Sequence, residues 1–397
     1  MRALVINAGS SSLKFAVYAA DRPDELAPLL KGCFERIGLE DCHWTLKDAP
    51  SQALLVDNEI VRDGATHAEC MATLVSRLEA LHVYVECAGH RVVHGGALFT
   101  GPVGIDPRTL KKLESLACLA PLHQPHNMEG IRALQSVLPR IPQVACFDTA
   151  FHATQAPIHQ MYALPRELTD SGVRAYGFHG LSYEYISAQP ELSTHSRVVV
   201  AHLGNGASVC AIRDRKSVAS SMGFSALDGL PMGTRTGSLD PGVILHLLRN
   251  GKSLDEVETL LYKASGLLGI SGLSSDVRDL LASDSPRAAE ALGYFCEKAA
   301  QHIARMAVAL GGVEALVFTG GIGENAAEVR EGICVRLRFL GVDFENRANV
   351  DRPQDKPSFR RRISPDASPV AVYVIPTDEE RVIARHAAHL LARRAAA

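Results

Sequence analysis

Short apolar runs alternate along this chain with small-residue turns and with stretches of helical spacing, the pattern of an α/β protein. Leu4, Val5 and Ile6 run into Asn7-Ala8-Gly9-Ser10-Ser11-Ser12, and Leu13 to Val17 run out again, which predicts strand, small-residue turn and strand. The design returns where Val198, Val199 and Val200 lead to Gly204-Asn205-Gly206 and Ala207 to Ile212 lead back, because Asn-Gly between apolar runs is a strong hairpin signal. One local pattern in two places, with letters that barely match, suggests an internal duplication at the level of structure.

Between these stretches, Met71, Leu74, Val75, Leu78 and Leu81 predict a helix over His67 to Leu81. Val83 to Val93 reads as a strand ending GHRVVHGG, Asp106-Pro107 as a helix start, Ala120 to Asn127 as a proline-bracketed polar loop, and Gln143 to Phe147 as a buried strand that delivers Asp148. Beyond the second hairpin, Ser253 to Leu261 predicts a helix, Gly266 to Gly272 a flexible linker, and Ser274 to Arg278 a helix cap that includes Asp276. The longest helix is expected over Arg287 to Leu310, stopped by Gly311-Gly312. Ala315 to Thr319 then reads as a strand, Gly320 to Asn325 as a tight turn, Ala326 to Leu340 as a helix and Val370 to Ile375 as the last strand. Thr377 and Glu380 have capping-box spacing at the start of a C-terminal helix that buries Val382, Ile383, Ala387, Leu390 and Leu391.

A chain of 397 residues exceeds one ordinary core, so two domains are expected. The net charge of −3 argues against nucleic acid or an anionic membrane as the main partner, and Arg360-Arg361-Arg362 reads as a solvated loop. Nine cysteines without a CxxC pair indicate reduced thiols and a cytoplasmic protein. His90 and His94 lie in an extended segment, where that spacing does not bring two rings onto one metal. No apolar run approaches a membrane span, and the polar turn at Asn7 comes too early for a signal peptide, so the chain is expected to stay where it is made.

The chemistry-bearing residues sit on the turns. The Gly204 to Gly206 turn offers backbone N–H groups without an acidic side chain, which suits a polyanion such as a nucleotide's phosphates. In Gly233-Thr234-Arg235-Thr236-Gly237 the flanking glycines favour an arginine brought to a buried anion over a solvated loop charge. Arg91, between apolar neighbours and before Gly95-Gly96, is expected to point into a cleft rather than into water. Asp148 follows a strand at its carboxyl end, where an open α/β sheet places its chemistry, although a turn or cap would also use it. Gly320 to Asn325 between strand and helix puts backbone donors beside a nucleotide; it lacks the full dinucleotide glycine spacing and its acidic partner. Two phosphate loops, a nucleotide turn, two arginines and several acids, with no thiol or serine nucleophile motif, point to phosphoryl transfer.

HLGNGAS, SMGF and MGTRTG, with the intact NxGSSSxK pattern at Asn7 to Lys14, resemble the signatures of the acetate kinase family, within the superfamily of sugar kinases, actin and heat-shock ATPases. The likeness runs from Val5 to about Glu380. It implies two duplicated actin-like (ribonuclease H-like) α/β lobes, with mixed sheets flanked by helices and a central cleft. Residues 1–150 would form the first lobe, with a helix over 380–397 packed back on it, and 151–379 the second, nucleotide-binding lobe. It also implies reversible transfer from ATP to acetate, giving ADP and acetyl phosphate, with Mg²⁺ or alternatively Mn²⁺, in a homodimer. Asn7 and Glu379 would hold the metal, and Lys14 would meet the nucleotide phosphates. Arg91 would bind the carboxylate, Arg235 and His179 would brace the transferring group, and Asp148 would orient Arg91 or a metal-bound water. His202, Leu203, Gly204, Asn205 and Gly206 would hold ATP with Asp276, Val277, Arg278, Gly321, Ile322, Gly323, Glu324 and Asn325. Val93, Leu122 and Phe178 would line the acyl pocket.

The chain departs from the family pattern at Ala226, where SMGFSALDG replaces the usual proline of GFTPLEG; the missing ring should enlarge the pocket toward propionate. Asp378 replaces the usual asparagine and adds a negative charge near the metal. Gln124 and His126 also depart from it and are given no role. The rival expectations are a propionate or other short-chain acyl kinase, and an actin-like or chaperone ATPase switch.

Overall fold

The computed structural model describes residues 1–22, 25–350 and 360–395. The chain divides into two compact units, Met1–Phe151 with Asp378–Ala397, and His152–Thr377.

The first unit is built on β1 (Arg2–Ala8), β2 (Ser12–Ala19), β3 (Ala27–Glu35), β4 (Cys42–Asp48), β5 (Leu54–Arg62), β6 (Cys87–Val92), β7 (Val103–Gly104) and β8 (Gln143–Phe147). They form one sheet in the order β5-β4-β3-β2-β1-β6-β8-β7. The second unit contains β9 (Arg197–Leu203), β10 (Ala207–Arg213), β11 (Lys216–Ser220), β12 (Ala315–Thr319), β13 (Arg361–Arg362) and β14 (Ala371–Val374), in the order β11-β10-β9-β12-β14-β13. Five strands repeat in each. A three-strand antiparallel meander, β3-β2-β1 or β11-β10-β9, is extended on the side of its first strand by two parallel strands, β6-β8 or β12-β14. The duplication read from the two turns is therefore a duplication of whole sheets.

Both turns form as expected. Asn7 pairs with Lys14 across β1 and β2, and the Gly9 amide donates to the Ser12 carbonyl at 2.8 Å. Leu203 pairs with Ala207 across the Gly204 to Gly206 turn. One face of the first sheet is closed by an aromatic core in which Phe34 stacks on Trp44 with centroids 4.9 Å apart, covered by the helix His67–Ala80. That helix opens on a complete capping box between Thr66 and Glu69. The C-terminal helix Glu379–Ala395 packs on β1, β2, β6 and β8. It comes close because Gly89 has no side chain: a Cβ there would lie 2.4 Å from Ile383 Cγ2.

Beside it, His90 is buried in β6 and donates through Nε2 to Gln143 Oε1 at 2.8 Å, while His94 accepts from the Gly96 amide. Burial lowers the His90 pKa to about 4, against the pull of Gln143. The folded chain thus binds fewer protons than the unfolded one between that value and the ordinary histidine pKa. Stability is full above about pH 6.5 and is lost as pH falls through about 4, by up to about 3 kcal/mol. His90→Gln is expected to flatten the urea midpoint over this window; an unchanged acid slope would place its origin elsewhere.

Several expected elements differ. Gly266 to Gly272 is no linker: Gly266–Ser271 is a helix whose first amides donate outward, Ser265 to Thr234 O at 2.9 Å, Leu267 to Met232 O at 2.9 Å and Leu268 to Gly233 O at 2.9 Å. The polar loop around Gln124 is the first turn of the helix Gln124–Val137, with Gln124 fully buried against the carbonyls of His94 and Leu113. Gly320–Asn325 winds into a short helix, and the helix after it stops at Arg336. Arg361 and Arg362 form β13 and donate to carbonyl oxygens, so they are half-buried rather than solvated. The C-terminal capping box is replaced by Asp378, whose Oδ1 accepts from the Arg381 amide at 3.1 Å, while Thr377 uses its amide on Glu324 Oε1. Leu390 and Leu391 are half-buried.

Candidate active site

In the first unit β1, β6 and β8 run parallel, so their carboxyl ends share one edge of the sheet. That edge receives Asn7 from β1, Arg91 from β6 and Asp148 directly after β8. Arg91 clamps Asp148 bidentately, Nε to Oδ1 at 3.1 Å and Nη2 to Oδ2 at 2.6 Å, and its Nη1 donates to Asn7 Oδ1 at 3.3 Å. Glu379 Oε2 stands 3.9 Å from Arg91 Nε, brought there by the C-terminal helix. Asp148 is 1% exposed, so its charge is tolerable only because the guanidinium neutralises it. Burial lowers the Arg91 pKa, but Asp148, Glu379 and Glu380 together raise it above the ordinary arginine value. Glu379 is pushed up to about 7, first by burial, with Asp148 and Glu380 adding to it and Arg91 and Lys14 opposing.

Asp378 points away from this cluster. Its Oδ1 accepts from Tyr18 Oη at 2.9 Å and lies 3.7 Å from Lys31 Nζ. The negative charge expected near a metal is therefore paired with Lys31 and used for capping.

In the second unit β9, β12 and β14 repeat the parallel arrangement, and the carboxyl ends of β9 and β12 carry glycine turns. A Cβ on Gly204 would lie 3.9 Å from the Gly321 amide, and one on Gly233 would lie 3.1 Å from Ser275 O and 3.9 Å from Asn205 Oδ1. Four segments that sequence motifs had picked out separately thus meet: Gly204 to Gly206, Gly233, Ser275 before Asp276, and Gly321. Gly320, at φ +78°, sits so near Leu203 O that a Cβ would be 2.7 Å from it. Glu324 Oε1 accepts from the Gly320 amide at 2.9 Å, Asn325 Nδ2 donates to Gly321 O at 2.7 Å, and the buried Arg330 donates to Gly323 O at 2.9 Å. Asp276 caps the helix Val277–Leu281 and pairs with Arg278, whose side chain is exposed.

His179 holds a left-handed backbone, φ +56°, a strained setting for a non-glycine residue and one that clusters at functional sites. Its Nδ1 lies 2.8 Å from Ser208 Oγ, its ring stacks on His202 at 4.4 Å, and Gly206 leaves room for its Nε2 edge. Arg235 is half-buried, with Nη1 donating to Ala226 O at 3.1 Å. Val93 is buried and Leu122 exposed in the first unit; Phe178 is buried in the second.

Motif reading missed the residues that hold these turns. His67 Nε2 donates to Gly9 O at 2.8 Å, and Asn127 bridges Ala8 O and the Val93 amide at 2.9 and 3.0 Å. Ser208 supports His179 and Tyr183. For His67 and Asn127 a polar residue among the apolar positions of a helix is the only signal, whereas Ser208 closes the HLGNGAS stretch on β10. In chemical terms the first unit offers a fixed cation beside an oxygen-rich cluster, and the second a set of converging glycine turns with His179 beside Gly206 and Arg235 two residues after Gly233.

The acetokinase family model matches residues 2–385. The chain is 48% identical to an acetate kinase of Rhodopseudomonas palustris, over 96% of both chains. Among solved structures it is similar to a propionate kinase from Francisella tularensis, with a TM-score of 0.89, 37% identity and coverage of 98% of this chain and 99% of that one. The Porphyromonas gingivalis acetate kinase gives a TM-score of 0.86 at 36% identity, again over 98% and 99% of the two chains.

Proposed function

The chain belongs to the acetokinase family, and from that premise we propose that it transfers the terminal phosphoryl group of ATP reversibly to acetate, giving acetyl phosphate and ADP. The observation that carries this reading is the state of Arg91. Of its five N–H donors, two are spent on Asp148 and one on Asn7, which leaves two to take a substrate carboxylate in a fixed orientation. Acetate is ionised at neutral pH, its pKa being about 4 to 5 like that of a side-chain acid, so its attack needs no general base. Asp148 then orients the guanidinium. Arg235 and His179 meet charge on the transferring group, whose loose transition state is stabilised mainly by positioned donors. Lys14, the turn from His202 to Gly206, Asp276 to Arg278 and Gly321 to Asn325 hold the nucleotide.

The Asn7 amide oxygen and the Glu379 carboxylate fit a Mg²⁺ ion. Both are hard oxygen donors, and there are two of them. That suits an ion that keeps several waters and leans on substrate phosphates. When bound, it would neutralise phosphate charge. Repulsion from Asp148 and Glu380, which helps raise the Glu379 pKa, is what a cation there would relieve.

A second copy of this chain is the proposed partner. The helix Pro241–Arg249 buries none of its residues, and Leu239, Val243, Leu245 and Leu248 are exposed there. Cytoplasmic residence is supported by nine free cysteines, and no described helix is long and apolar enough to cross a membrane.

The test is hydroxamate trapping of acyl phosphate formed from ATP and acetate, propionate or butyrate. Acetate is expected to give the highest kcat/KM. Propionate is the second reading because Ala226 lacks a proline ring, and one methylene is worth only about 1 to 3 kcal/mol. A preference of about tenfold or more for a longer acid, about 1.4 kcal/mol, would move the assignment to that acid. Absence of any acyl phosphate would remove it.

A further inference from the structure

The helix Pro286–Leu310 lines a cavity of about 280 Å³ whose walls include no residue assigned above. Lys298, His302 and Arg305 face it at helical spacing, and the other wall is built from Gly229, Thr236 and Ser238. No carboxylate lines it. Lys298 Nζ donates to Gln301 at 3.2 Å and lies 5.4 Å from the Tyr294 ring centroid; neither it nor Arg305 forms an ion pair among the described residues. The neighbouring acid, Asp228, is occupied: its Oδ1 accepts from Ser238 Oγ at 2.8 Å and from the Gly229 amide at 2.7 Å. His302 is 9% exposed, and its Nδ1 has no hydrogen-bond partner among the described residues. Burial and then Arg305 lower its pKa, while Asp228 and a hydrogen bond to the Gly229 backbone oppose them.

Two cations outside any ion pair among the described residues and a lining without carboxylates describe a receptor for negative charge. The volume lies at the lower end of small-molecule sites, which begin at about 300 Å³, and is too small for a nucleotide. We propose that this cavity binds a small oxyanion carrying two or more negative charges, a phosphate monoester or a polycarboxylate, between Lys298, His302 and Arg305 and the neck of the loop that carries Arg235. The neck is closed by the Ser238 amide on Gly229 O at 2.9 Å, and Gly229, Thr236 and Ser238 lie on its two arms. An anion joining helix and neck is thereby coupled to Arg235, and its occupancy changes kcat. This kinetic consequence rests on the role proposed for Arg235; the binding does not.

Calorimetric titration of the full chain carrying Arg91→Ala, which disables the proposed acid clamp, separates the two. Glycerol 2-phosphate and tricarballylate are the probes at constant ionic strength, with acetate as the singly charged control. Millimolar or tighter binding of either probe, weakened about tenfold or more by Lys298→Ser with Arg305→Ser, is expected. The probe that binds identifies the ligand class. Both side chains reach solvent, so the double variant should keep its melting temperature, and in the otherwise unaltered enzyme it should keep kcat without probe while losing the probe's effect. Binding of neither probe, binding untouched by the double variant, or acetate binding as tightly would overturn the site. Binding with unchanged kcat would overturn the coupling to Arg235. Failure to form acyl phosphate would leave the binding result standing.

Discussion

Replacing Arg235 with alanine is expected to lower kcat by about 10²- to 10³-fold while leaving KM for acetate within a small factor. The loss falls on kcat because this side chain is proposed to meet charge that develops only as the phosphoryl group moves. The structure invests heavily in placing it. Gly237, at φ +73°, packs where a Cβ would lie 2.5 Å from the Leu230 carbonyl carbon, and Gly266, at φ +63°, packs 2.1 Å from Met232 O by the same measure. The amides of Ser265, Leu267 and Leu268 hold the carbonyls of Thr234, Met232 and Gly233. The guanidinium donates to Ala226 O at 3.1 Å and lies 3.8 Å from Met232 Sδ. Arg235→Lys should recover only a small part of the rate, since an ammonium cannot reproduce a planar fork. Steady-state rates with both substrates varied check this; an unchanged kcat with raised KM for acetate would reassign Arg235 to ground-state binding.

The same loop marks where the sequence was readable and where it was not. Strands β1, β9 and β12 and their turns were legible because apolar runs ending in small residues have few other uses. Arg235, His179 and Arg91 stood out as candidates because glycines flank or follow them, His179 also through the family resemblance. The helix Gly266–Ser271 was not, since its sequence reads as a chain of breakers and its formation depends on carbonyls of a loop some thirty positions earlier. His67 and Asn127 were hidden for a related reason. Each acts on a carbonyl far away in sequence, 58 and 119 positions from Gly9 and Ala8, and a local window carries no trace of such a bond. Asp378 shows the limit of motif comparison: a charge that reads as near-metal is turned by Tyr18 and Lys31 into a packing contact. The dinucleotide alternative failed on glycine spacing and on its missing acidic partner, and the repeated sheet order is consistent with that rejection.

Arg91→Ala should have two effects, which a second substitution separates. Loss of the carboxylate clamp is expected to raise KM for acetate and to reduce kcat/KM by about 10²-fold, equivalent to about 2.7 kcal/mol. The same change strands Asp148, 1% exposed, without its bidentate partner, and breaking such a buried pair from one side costs about 3 to 5 kcal/mol. The single variant should therefore melt early as well as bind acid weakly. Arg91→Ala with Asp148→Asn removes the stranded charge and should restore much of the stability without restoring acid affinity. If stability and KM instead recovered together, Arg91 would be a structural counter-ion for Asp148 and the acid would bind elsewhere. If the single variant kept its melting temperature, water must reach Asp148 freely, and a pre-oriented guanidinium at the ends of β1, β6 and β8 would lose its electrostatic basis. The division of labour between the two arginines follows from these surroundings. Arg91 is locked to a carboxylate before substrate arrives and so contributes from the ground state onward, whereas Arg235 is held by a tightly packed loop and is proposed to meet charge that develops only as the phosphoryl group moves.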